Sequence, residues 1–120
     1  MYCLLRGDFS LKVIELHREY QPDWIIVECT GVANPVELLD SLADVALAIP
    51  VGVVRTISVI DASVWHTQFP WKRLPLHRLL NDQLRCANDI VIQHLDCIPE
   101  EDGQLFVSSL SKKYAHATVW

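Results

Sequence analysis

The sequence predicts an α/β fold, a parallel sheet sandwiched in three layers, on two observations. Four short apolar runs lack the in-out alternation of a half-exposed sheet: Trp24 to Val27, Thr56 to Ile60, Asp89 to Ile92 and a weaker Ala117 to Trp120. Runs of this kind are what a parallel sheet covered on both faces produces. Segments of helical periodicity lie between them, and alternation of the two element types marks a doubly wound domain.

Taken in order, the first helix is expected over about Leu11 to Tyr20, with Asp8 or Ser10 as its cap and Pro22 as its stop. The strand Trp24 to Val27 follows. The second helix starts at Asn34-Pro35-Val36-Glu37, where Asn34 caps, Pro35 takes the first helical position and Glu37 stands where a capping-box carboxylate would. After the strand Thr56 to Ile60, a third helix runs from about Pro75 to Ala87, with Leu76, Leu79, Leu80, Leu84 and Ala87 recurring on one face. The strand Asp89 to Ile92 leads to a fourth helix near Pro99. There Glu100, Glu101 and Asp102 favour the positive end of the helix dipole, while Gly103 weakens the first turn.

At 120 residues and 51% hydrophobic content, the expectation is one domain spanning 1–120. A net charge of -5 with scattered basic residues argues against nucleic acid or an anionic membrane as partner. The longest apolar stretches, such as Val45 to Val54, fall short of the roughly 18 residues of a membrane span, and no signal-peptide pattern precedes them. The four cysteines (Cys3, Cys29, Cys86, Cys97) show neither C-x-x-C spacing nor a disulfide framework, as expected in a reducing, cytoplasmic setting.

The run Trp24 to Gly31 ends an apolar strand on the carboxylate of Glu28, then Cys29, Thr30 and Gly31. The carboxyl end of a parallel strand is where α/β ligands bind, and a carboxylate there can hold a water of Mg²⁺. Gly31 would let a backbone N–H approach a phosphate that a Cβ would obstruct. The same residues equally describe a capped strand end followed by a turn.

The neighbouring segments make the pattern specific. Glu28-Cys29-Thr30-Gly31-Val32-Ala33-Asn34-Pro35 resembles the E-[ST]-[ST]-G-[LV]-A-[DN]-P signature of the CobW/HypB/UreG GTPases. Cys3 to Asp8 resembles the tail of that family's C-x-C-C-x-L-R-x-D segment, Pro22-Asp23 its P-D, and Ser58 to Ala62 its V-V-D-A strand. Gln83 to Asp96 resembles Q-[IL]-x-x-A-D-x-[IV]-[IV]-[IL]-N-K-x-D. The resemblance touches nearly the whole chain and is best to the CobW-like branch. It implies a P-loop NTPase-like fold, GTP and Mg²⁺ as ligands, and a metal-chaperone or cobalamin-pathway role.

What the resemblance implies residue by residue is uneven. Glu28 and Gly31 fall at the catalytic Mg²⁺ and γ-phosphate end, and Thr30 beside them is expected to contact nucleotide. Asp96 stands where the family's Asp pairs with the guanine N1–H and exocyclic amine, but Gln93 and His94 replace its Asn and Lys. One charge-assisted hydrogen bond contributes about 1.5–3 kcal/mol, so Asp96 is expected to keep a weak guanine preference; by itself it also reads as a helix-start residue before Pro99. Of the metal segment only Cys3 remains, with Tyr2 and Met1 at the positions before it. Zn²⁺ or Co²⁺ therefore needs ligands from elsewhere. The histidines (His17, His66, His77, His94, His116) show no ligand-like spacing, His66 beside Trp65 being only marginally notable.

The chain contains no G-x-x-x-x-G-K-[ST], the loop whose amides and Lys cradle the β- and γ-phosphates. The expectation is an incomplete domain, its P-loop strand absent, that does not hydrolyse GTP alone. In the family fold that strand lies between the Glu28 and Asp61 strands. Its absence predicts that the two strands close up, or that a second copy or a separate N-terminal polypeptide fills the slot. Two rivals stand beside this reading: a non-catalytic interaction or oligomerisation module, and a simple metal carrier using Cys3.

Overall fold

The computed structural model describes residues 2–64 and 75–120, with side chains described for 7–64 and 78–120. Two compact units, Met1–Val54 and Arg55–Trp120, make up the chain.

The first unit is a pair of helices. α1 spans Tyr2–Tyr20, so Asp8 and Ser10, expected as caps, are interior helical residues. The reason is that no proline interrupts the pattern before Pro22, and a helix already nucleated extends through Gly7 at a cost of about 1 kcal/mol. α1 ends where Gln21 adopts the left-handed conformation, φ 45°, and donates its backbone N–H to His17 O at 2.9 Å. α2, Pro35–Ala46, begins as expected. Asn34 Oδ1 accepts the Val36 N–H at 3.0 Å, and its amide donates to Glu37 Oε1 at 3.2 Å. Val13, Val45 and Ile49 form the core, flanked by Phe9, Ile14, Ile25 and Val51. Ser10 Oγ donates to Ser41 O at 3.3 Å, joining the helices.

One expected element is absent. Residues 24–27 belong to no strand or helix. Only Ile25 packs on the helical core, while Trp24 and Ile26 are 72% and 92% exposed. A strand is defined by the ladder on its flank, and this unit offers none among its described residues.

The second unit is built on a parallel sheet of order β1-β2-β3, with β1 Ile57–Asp61, β2 Asp89–Gln93 and β3 Thr118–Val119. α3, Pro75–Cys86, connects β1 to β2; a 3-10 turn, Leu95–Cys97, and α4, Glu100–Lys113, connect β2 to β3. All three runs are strands within a residue or two of expectation. Ile60, Ile90 and Ile92 share one face of the sheet and are buried with Leu84 of α3 and Leu110 and Tyr114 of the α4 region. Asn81 ties the two helices, accepting from Lys113 Nζ at 3.0 Å and Tyr114 Oη at 2.9 Å. The opposite face differs from the doubly covered sheet expected, for Ile57 and Val59 are 63% and 57% exposed. Among the described residues the outer edge of β1 also carries no partner strand.

At the amino ends of the strands Asp89, 4% exposed, accepts from Arg55 Nε, from Arg55 Nη2 at 3.1 Å and from the Trp120 indole at 2.9 Å. Thr56 Oγ1 donates to Cys86 O at 2.6 Å, and Asn88 Oδ1 accepts the Thr56 N–H at 2.8 Å. A buried carboxylate without such partners would be strongly disfavoured. This network fixes the register that brings the carboxyl ends together.

Candidate functional site

The register sets Asp61 opposite Gln93 at the carboxyl ends of β1 and β2. In an open α/β sheet this is the end that holds ligands. Asp61 Oδ1 accepts from Ser63 N at 2.9 Å, Ser63 Oγ at 2.6 Å and Val64 N at 3.3 Å, an Asx turn that starts the helical residues 62–64. Its second oxygen, Oδ2, lies 2.8 Å from His94 Nδ1. The Ser63 hydroxyl first, then His94, hold this carboxyl well below its ordinary 3.8, at about 2. Asp61 is therefore an acceptor only, and His94 Nδ1–H is the donor.

His94 leaves the strand in the left-handed conformation, φ 58° and ψ 33°, turning the chain into the 3-10 helix. Few non-glycine residues adopt it, and those that do are held by their surroundings, here by the Asp61 bond and by Cys97 N–H donating to His94 O at 3.1 Å. Gln93, His94 and Asp96 are all exposed on this loop. Asp96 sits inside the 3-10 turn rather than at the start of α4, where Pro99 takes the cap position. Asp96 is thus a helix-start residue before Pro99, but of the 3-10 helix and not of α4.

In the first unit, Glu28, Cys29, Thr30 and Gly31 are exposed after the run Trp24 to Val27, and Ala33 N–H closes a turn on Thr30 O at 2.9 Å. Glu28 thus lies on a segment with no ladder, not at the end of a sheet strand. Gly31 does not have a positive φ, and a Cβ built there meets nothing within 4 Å. The turn itself therefore makes no steric or conformational demand for glycine.

Residues 1–119 match the nucleotide-binding domain of the CobW/HypB/UreG proteins. The chain belongs to the CobW/HypB/UreG family. No curated protein and no solved structure gives a match. The α/β architecture and its three parallel strands agree with a P-loop NTPase domain of this family, and family membership implies nucleotide binding.

The CobW-type assignment can be tested against the donors and acceptors present. An exposed loop bearing an amide, an imidazole and a carboxylate at the strand ends carries donors and acceptors that suit the hydrogen-bonding edge of a base. Mg²⁺ is less well supported, since Glu28 is one exposed carboxylate. Among the described residues no group of three His, Cys, Asp or Glu side chains is placed to share a metal ion. Cys3 lies on α1, but its side chain is outside the described residues, as are those of His66 and His77. A shallow groove of about 470 Å³ runs along α4 by Leu95, Gly103 and Val107, and none of the expected site residues lines it.

The residue missed in the sequence is Asp61, which counted there only as part of a strand motif. Asp-Ala-Ser after an apolar run is a legible Asx-turn signal. Its bond to His94, 33 positions on, is not local and leaves no such trace. No helix among the described residues is long and apolar enough to cross a membrane.

Proposed function

We propose that residues 1–120 form the base-reading part of a GTP-binding domain from a CobW-like, GTP-dependent metal chaperone of the cytoplasm, serving metal delivery or the cobalamin pathway. What supports this most directly is the exposed Gln93-His94-Leu95-Asp96 loop at the carboxyl end of β2, beside Asp61. In this reading Asp96 accepts from guanine N1–H and the exocyclic amine and Gln93 steadies the loop, while the family motif gives Thr30 and Gly31 a phosphate-contacting role. Glu28 would hold a water of Mg²⁺, whose chemistry when bound is to neutralise phosphate charge. Zn²⁺ or Co²⁺ is cargo here, with Cys3 contributing one of several ligands. Hydrolysis by these residues alone is not expected, because no side chain of this chain is the phosphate-cradling Lys of G-x-x-x-x-G-K-[ST].

The test is an isosteric exchange at Asp96. Calorimetry with GTP·Mg²⁺ and XTP·Mg²⁺ should show a GTP preference in the wild-type chain and the reverse in Asp96→Asn, because an amide can donate to the xanthine C2 carbonyl. Binding of neither nucleotide, or an unchanged preference in the variant, refutes the assignment.

A second reading rests on the uncovered face and outer edge of β1, where Ile57 and Val59 are exposed. Unpaired strand edges favour association, and here a second copy or a separate polypeptide would supply a strand to pair with β1. Light scattering of a concentration series that shows only monomer, together with GTP binding at full stoichiometry, would remove this reading.

A further inference from the structure

The contact between β1 and the loop after β2 constrains more than ring position. Asp61 Oδ1 is fully used by three donors, Ser63 N–H, Ser63 Oγ–H and the Val64 N–H, so only Oδ2 faces the imidazole. An ionised carboxylate has no proton to give, which makes Nδ1 the protonated ring nitrogen of neutral His94 and Nε2 a lone-pair acceptor. The ring is 56% exposed against 37% for the Asp61 side chain, so it is the outer member of the pair and within reach of a ligand. Asp96, an acceptor too, follows two residues later on the same exposed turn. Two acceptors on one short loop complement a base edge that carries adjacent N–H donors, and repel one that presents lone pairs.

We infer that Asp61 is a positioning residue that holds His94 as its Nδ1–H tautomer, so that Nε2 accepts the second N–H of a nucleobase exocyclic amine whose first N–H, with the ring N–H beside it, goes to Asp96. This deepens the guanine-binding reading and rests on it. It adds a specificity element that reads the 2-amino group and separates guanine from hypoxanthine.

Asp61→Asn tests the inference with almost no change of shape. Because the three donors around Ser63 require an oxygen, the amide oxygen takes the Oδ1 place and the NH₂ faces His94. The amide then donates to Nδ1 and drives the ring to the Nε2–H tautomer, turning the acceptor into a donor. Ring nitrogen NMR of the full chain at about pH 8.5, above the ordinary imidazole range near 6.5, reads this directly and without nucleotide. The expected result is Nδ1–H in the wild type and Nε2–H in Asp61→Asn. In calorimetry the preference for GTP over ITP should fall roughly five-fold in His94→Phe, the value of one neutral hydrogen bond, and at least as far in Asp61→Asn.

A wild-type ring that is Nε2–H or a tautomer mixture overturns the inference. So does a GTP-to-ITP preference unchanged in both variants while the wild type binds GTP, a result that leaves the guanine-binding reading standing. A wild-type chain that binds neither nucleotide overturns both.

Discussion

The core beneath β1 and β2 offers an internally controlled test, because α4 carries two leucines of opposite exposure. Leu110 is 4% exposed and packs in the cluster of Ile60, Leu84, Ile90 and Tyr114, whereas Leu105, one and a half turns earlier, is 67% exposed. Truncating Leu110 to Ala removes three buried carbons, worth about 2.4 kcal/mol of transfer free energy at about 0.8 per methylene. Neighbours fixed by the parallel ladder can collapse only partly, and the cavity they leave adds about 1 kcal/mol. The total, about 3.5 kcal/mol, is a large share of the stability of a domain this size. Leu105→Ala loses little burial and improves helix propensity, so its effect should stay within about 0.5 kcal/mol. Urea denaturation followed by far-UV circular dichroism measures both, and the Leu110→Ala midpoint should move down by about 2 M at ordinary slopes. If Leu110→Ala is already unfolded in buffer, Leu110→Met should lose less than about 1.5 kcal/mol. Equal effects of the two alanine substitutions would refute the packing described here.

Two further outcomes follow from the sites. Gly31→Ala should leave the thermal midpoint unchanged, since a Cβ meets nothing within 4 Å and the backbone φ is not positive; a ten-fold weaker GTP affinity with unchanged stability would locate phosphate approach at that residue, and a large drop in thermal midpoint would contradict the open turn. Acid should weaken the second unit in a defined window. Asp61, held at about 2 against an ordinary 3.8, contributes stability that is fully present above about pH 4 and is lost as the pH falls toward 2; Asp89, lowered chiefly by the Arg55 contact, acts with the same sign. The urea midpoint should therefore decline through that range, less steeply in Asp61→Asn, and a flat profile in the wild type would contradict the hydrogen bonding around Asp61.

Much of this protein was legible in order along the chain. The Asn34-Pro35 start of α2, the carboxylates opening α4 and the apolar runs of β1 and β2 are short-range signals, each decided by a few neighbouring residues. The family motifs were legible for the same reason, since they are contiguous. Trp24 to Val27 shows where such reasoning stops: the run has every intrinsic preference of a strand, but a strand exists only where another backbone completes its ladder. The start of α1 likewise depended on propagation through Asp8 and Ser10, residues whose local preference is to cap.

The sequence by itself determined the element types of the second unit and the family, with its contiguous Gln83 to Asp96 motif, because these rest on periodicity, caps and adjacent residues. Tertiary structure alone decided that Asp61 grips His94, that Asp89 is buried between Arg55 and Trp120, and that Ile57 and Val59 stay exposed among the described residues. Each of these joins groups more than thirty positions apart or depends on which surface finds a neighbour, and no local pattern encodes either.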